Sequence, residues 1–108
     1  MTVYELPLYC DQTARWTSKM DLGKDRFMLY FSWNSRCNYW EFSIYNNDEK
    51  LLVGGIRLVT MIDLLDEYKN FIPKLPSGIL QLVPRNDAVV GITRKNLNTD
   101  YSLIYVEK

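Results

Sequence analysis

The sequence predicts a mainly β fold: a small antiparallel β-barrel or sandwich of about seven short strands with one or two short helical turns. Three observations predict it. Tyr, Phe and Trp make up 14% of the 108 residues, and such rings suit a pleated, half-buried surface. The clearest segment alternates apolar and polar residues with a period of two. Turn-forming residues recur at short spacing, which leaves little room for long helices.

The elements follow in order. Val3 to Leu8 reads as a strand, and Pro7, which lacks an N–H, places it at an edge or a bulge. Thr13 to Met20 reads as a second strand, and Leu22-Gly23-Lys24-Asp25 turns it into a third. Arg26 to Trp33 is apolar at almost every position, which predicts cover on both faces. Asn34 to Asn38 is a polar hairpin loop. Tyr39 to Tyr45 carries the alternation: Trp40, Phe42 and Ile44 face a core, while Tyr39, Glu41, Ser43 and Tyr45 face outward.

Asn46 to Glu49 is the next turn, and Lys50 to Thr60 the next strand. Its paired Gly54-Gly55 predicts a bulge, a bend or the close approach of another backbone. From residue 25 to 59 these strands form a meander. Met61, Leu64, Leu65 and Tyr68 then switch to helical spacing, with Thr60 and Asp63 as a weak N-terminal cap. Phe71 to Pro76 is a loop, Ile79 to Val83 a strand stopped by Pro84, and Asn86 to Gly91 a turn. Thr93 would cap a single turn through Leu97, with Asn98 as a left-handed stop. Tyr101 to Glu107 closes the fold. With no repeat, low-complexity tract or linker, one domain over residues 1–108 is expected.

Composition narrows function. Lys plus Arg is 13 and Asp plus Glu is 13, so the formal net charge is zero. That argues against a protein built to coat nucleic acid or an anionic membrane. Histidine is absent, which removes the commonest metal ligand and acid–base catalyst. Cys10 and Cys37 cannot complete a four-ligand zinc site, and their spacing fits no redox motif. They read as reduced core or strand cysteines, with a disulfide only in an exported chain. The residues from Met1 to Glu5 show no basic start before an apolar stretch, so no signal peptide is expected. No apolar run approaches the ~20 residues that span a bilayer.

No catalytic constellation is visible. Asp63, Asp66 and Glu67 cluster at helical spacing, and capping with a solvated face explains them better than a cation site. Gly54-Gly55 lacks the spacing of a phosphate loop. Arg15-Trp16, Arg26-Phe27, Trp33 with Arg36 and Tyr39-Trp40 pair rings with cations, as a stacking surface for bases or sugars would. Zero net charge and the nearby Glu41, Asp48 and Glu49 favour core or protein interface instead. Tyr39 and Tyr45, on an outer strand face, lean toward an interface.

A series of segments carries a resemblance. Gly55-Ile56-Arg57-Leu58-Val59 precedes Asp63-Leu64-Leu65 and Tyr68; Pro76-Ser77-Gly78 precedes an apolar strand; Arg94 to Leu97 leads into Leu103 to Glu107. With Arg26 to Tyr30 and the Trp40 strand upstream, this order resembles the small baseplate plug proteins of contractile-tailed bacteriophages. The likeness is weakest from Tyr9 to Lys24 and from Pro84 to Val90. It implies a β-rich, non-enzymatic virion component that closes the tail tube near hub and spike and takes no cofactor. Its partners would be other baseplate proteins (hub, tube and spike components) and several copies of itself around the tail axis. Assembly would occur in the bacterial cytoplasm, with both thiols reduced. The interface candidates are Arg57, Tyr39, Tyr45, Trp33, Arg36 and Arg94, with Gly54 and Gly55 as points of close backbone approach. Arg57 would pair bidentately with a carboxylate or stand as an ordinary surface arginine. Asn98 departs from the glycine expected there. The alternative class is a small β-barrel binding single-stranded nucleic acid or oligosaccharide through exposed aromatics.

Overall fold

The computed structural model describes residues 2–9, 13–85 and 91–107. Cys10 and the turn expected over 86–90 lie outside them. Among the described residues seven strands form two antiparallel sheets. One has three strands in the order β1 (Thr2–Leu6), β7 (Tyr101–Glu107), β6 (Ile79–Pro84). The other is the meander β2 (Arg15–Leu22), β3 (Asp25–Asn34), β4 (Tyr39–Tyr45), β5 (Leu51–Arg57). The sheets do not close into a barrel. Two four-residue helices, α1 (Asp66–Lys69) and α2 (Leu97–Asp100), sit in the connections.

Alternation builds the core. Trp16, Met20 and Leu22 on β2, Phe27, Leu29 and Phe31 on β3, and Trp40, Phe42 and Ile44 on β4 are buried. They share one apolar cluster with Leu80 and Leu82 of β6 and with Tyr101, Leu103 and Tyr105 of β7. Registry stacks the rings across strands. Trp16 lies opposite Phe31 at 4.8 Å between centroids, and Phe31 lies opposite Phe42 at 5.7 Å. Such pairs add about 0.5–1.5 kcal/mol each beyond their burial.

Local chemistry fixes the turns. Asn34 Oδ1 accepts from the N–H of Arg36 and Cys37, and Asn46 Oδ1 from the N–H of Asp48 and Lys50. Asn38 and Glu49 close these turns at φ 56° and 62°. In β5, Gly54 and Gly55 together oppose the single residue Ser43, a β-bulge. Gly55 has φ 66° and its N–H donates to Ser43 Oγ at 3.2 Å. A side chain there would meet no atom within 4 Å, so the backbone angle, not crowding within the chain, calls for glycine.

Several expectations are corrected. Val3–Leu8 is Thr2–Leu6: the strand is at an edge, as Pro7 implied, but ends before that residue. Thr13–Met20 is shifted to Arg15–Leu22, because the two-residue turn extends the ladder to Leu22 and Asp25. The Arg26–Trp33 strand is covered on one face only; Met28, Tyr30 and Ser32 stay half-buried. Lys50–Thr60 ends as a strand at Arg57, and Thr60 forms a parallel bridge to Leu82 in the other sheet. The helical stripe from Met61 shrinks to α1, since Met61 has φ 67° and is exposed while Leu64 and Leu65 bury into the core. Its cap position is Leu65, not Thr60 or Asp63. The later turn is Leu97–Asp100, with Asn98 inside it and not a left-handed stop. Cys37 lies exposed in a hairpin turn, not in a core or strand.

Candidate functional site

The alternation that buries Trp40 turns Tyr39 outward on the same strand. Arg57, at the end of β5, sits opposite Glu41 in the register. Its guanidinium lies 4.8 Å from the centre of the Tyr39 ring. Arg94, ahead of α2, lies 5.3 Å from the Trp40 ring, and Trp40 Nε1 donates to Thr93 O at 3.2 Å. Thr93 and Asn96 hold this approach by reciprocal bonds: Thr93 N–H to Asn96 Oδ1 at 2.7 Å and Asn96 N–H to Thr93 Oγ1 at 3.2 Å. Trp33 packs edge-on to Trp40 at 5.5 Å.

A shallow groove of about 340 Å³ runs between the sheets here, lined by Asn38, Tyr39, Trp40, Arg57, Ile92 and Tyr101 among others. The fold thus places four of the expected interface residues in two groups: Arg57 over the outward Tyr39 ring, and Trp33 and Arg94 on the buried Trp40 ring. The others lie elsewhere. Tyr45 is at the far end of β4, about 20 Å along the strand. Arg36 is exposed in the hairpin turn, and Gly54-Gly55 forms the β5 bulge. Among the described residues Arg57 makes no ion pair, with Glu41 or any other carboxylate. Its planar fork is open to a carboxylate from outside the chain.

The rings needed for base stacking are mostly unavailable. Trp16, Phe27 and Trp40 are 8%, 3% and 0% exposed, so they cannot present a face to a base or sugar. The acidic cluster is also committed. Asp63 Oδ1 accepts from Leu65 and Leu80 N–H at 3.3 and 3.1 Å, and its Oδ2 from Lys69 Nζ at 2.6 Å. Lys69 Nζ also donates to Gly78 O at 2.7 Å. Asp63 therefore ties the helical turn to β6.

Sequence reading missed Asn96, Ile92 and Tyr101 at this site. The T-x-x-N spacing of Thr93 and Asn96, a variant of a capping box, was the available signal. Ile92 and Tyr101 carried none, because only the crossing from one sheet to the other brings them to Trp40.

The family model for the cyanophage baseplate Pam3 plug gp18 matches residues 3–108. The chain belongs to that family. The match takes in both sheets and every residue of the groove. It agrees with the resemblance carried by residues 54–107 and the upstream strands. Membership in this plug family supports a structural role in the baseplate of a phage tail, in association with other baseplate components. No curated protein matches the chain.

Proposed function

We propose that this chain is a non-enzymatic plug that closes the lumen of a contractile tail tube where tube, hub and spike meet. One β-rich domain spanning residues 1–108 does so, in several copies around the tail axis, after assembly in the bacterial cytoplasm with its thiols reduced. The observation that carries the reading is the plug-family match over residues 3–108. Neutral charge and abundant Tyr and Trp suit packing against proteins. Phe71 and Met61, 83% and 62% exposed, add apolar surface for a neighbour to cover.

In this reading the groove rim makes the contacts. Arg57, over the Tyr39 ring, offers its fork to a carboxylate of a neighbouring protein, and Trp33 and Arg94, packed on Trp40, make a second contact. Tyr45, Arg36 and the open Gly54-Gly55 bulge meet other surfaces, the glycines leaving room for a backbone to approach. The test is a pull-down of the tagged chain from cells producing its neighbours, beside a labelled single-stranded oligonucleotide. Recovery of tube, hub or spike proteins with no salt-sensitive oligonucleotide binding is the expected result. Salt-sensitive oligonucleotide binding without a protein partner overturns it.

A further inference from the structure

Four strands end the two sheets: β2 and β5 in one, β1 and β6 in the other. Three of these edges carry a device against further pairing. β5 is kinked by its bulge. β6 is covered by the segment before α1, where Met61 and Leu64 N–H donate to Leu82 and Leu80 O at 3.0 and 2.8 Å. β1 is five residues long and is followed by Pro7. β2 is different: eight residues in unbroken register with β3.

The direction of its backbone groups follows from that register. Leu22 and Asp25 flank a two-residue turn and form a hydrogen-bonded pair, so even-numbered residues of β2 bond to β3. Trp33 N–H donating to Ala14 O at 2.8 Å has the same parity. Thr17, Lys19 and Asp21 therefore aim their N–H and C=O groups at the free edge. Among the described residues no group bonds to them there. The Arg15 N–H is partly taken by Thr13 Oγ1 at 3.3 Å, while its C=O points outward.

We propose that β2 pairs antiparallel with β2 of a second copy of this chain, centred on Ser18. The charge pattern selects both the occupant and the register. Centring on Ser18 sets Arg15 opposite Asp21 of the second copy, twice by symmetry, and Thr17 opposite Lys19. These are the odd-numbered positions whose backbone groups reach outward. On the other face Trp16 meets Met20, and the small Ser18 meets itself. Centring on Thr17 opposes Arg15 to Lys19, while Lys19 or Asp21 as centre opposes a charge to its own copy. Centring on Met20 pairs Lys19 with Asp21 but uses only residues 18–22. Of these registers only the Ser18 one engages residues 15–21 with opposite charges facing at both ends. Such a contact is a closed two-fold pair, distinct from contacts around a tail axis, and does not rest on the plug reading.

The test is sedimentation of the full chain from micromolar to millimolar concentration, with circular dichroism as the check on folding. The wild type should show a monomer–dimer equilibrium. In Arg15→Asp each new carboxylate faces Asp21 of the other copy, and in Asp21→Arg each new guanidinium faces Arg15, twice per dimer by symmetry. Each should weaken the dimer by about tenfold or more. An equimolar mixture of the two variants restores opposite charges and should dimerise more tightly than either alone. A wild type monomeric throughout overturns the pairing and leaves Lys19 as a guard against it. Single variants that dimerise like the wild type, or a mixture no tighter than its parts, overturn it equally.

Discussion

The hydroxyl of Tyr105 accepts the N–H of Gly78 at 2.9 Å, and the two residues are packed so closely that no side chain fits between them. A Cβ on Gly78 would lie 2.5 Å from Val106 O and 2.6 Å from the Tyr105 ring. This contact seats the entry to β6 on β7, so it ties the loop after α1 to the smaller sheet. Gly78→Ala should therefore destabilise the fold by about 1–3 kcal/mol through overpacking against backbone. Tyr105→Phe should cost about 1–3 kcal/mol, since it leaves a buried donor unpaired. Urea denaturation of both variants measures this, and wild-type midpoints would show that the contact does not matter.

Asp63 joins three donors from different segments: Leu65 N–H, Leu80 N–H and the Lys69 ammonium. The Lys69 and Asp63 side chains are 25% and 14% exposed, so the pair is only partly screened by water. Asp63→Ala should lower stability by about 1–3 kcal/mol, because the amides of Leu65 and Leu80 lose their acceptor together. Lys69→Met should cost less, since the carboxylate keeps its two amides. Thermal melts that rank the two variants in the opposite order would contradict this assignment.

Alkaline pH should weaken the fold through tyrosine. Burial first, and the Asp100 charge second, push the Tyr101 phenol above its ordinary value. Burial, then a hydrogen bond and charge from Glu67, do the same for Tyr68. A raised value means the folded state holds its proton more tightly than the unfolded chain. The resulting stability is complete below the unfolded value of about 10 and is lost as pH climbs through the folded one. The urea midpoint should hold steady below that region and fall above it, and Tyr101→Phe should reduce the fall. A fall of equal size in Tyr101→Phe would remove Tyr101 as its source.

Arg57 and Cys37 should separate contact from folding. Arg57 is exposed and its only described attachment is the Tyr39 ring, an interaction worth about 0.5–1 kcal/mol at the surface. Arg57→Ala should leave the melting temperature nearly unchanged while reducing recovery of baseplate partners in the pull-down. A large loss of stability would make Arg57 a structural residue. The Cys37 thiol, exposed in its turn, should be alkylated in the native protein without denaturant. Protection until unfolding, followed by mass spectrometry, would contradict that placement.

Much of the larger sheet was legible because its signals are local. The period of two in Trp40, Phe42 and Ile44 fixed a face, and the Asn-rich turns fixed the hairpins. Gly54-Gly55 marked its bulge because two adjacent glycines in a strand leave few other uses. What failed depended on distance. Met61 belonged to a helical stripe by spacing, but its N–H is drawn to Leu82 O and the backbone turns left-handed before the helix begins. Arg26 to Trp33 looked covered on both faces, yet hydrophobic side chains such as Met28 and Tyr30 remain half-exposed. The groove was half-legible. Tyr39, Trp33, Arg57 and Arg94 stood out by type, but only the β4–β5 pairing sets Arg57 over Tyr39, and only the return of residues 91–101 brings Arg94 to Trp40.

Cryo-electron microscopy of tails assembled with and without this chain tests the central claim most directly. The account predicts density matching the two sheets inside the baseplate end of the tube lumen, present with the chain and missing without it. Lumen density that persists in the chain's absence, or a chain that sits on the outside of the baseplate, would contradict it.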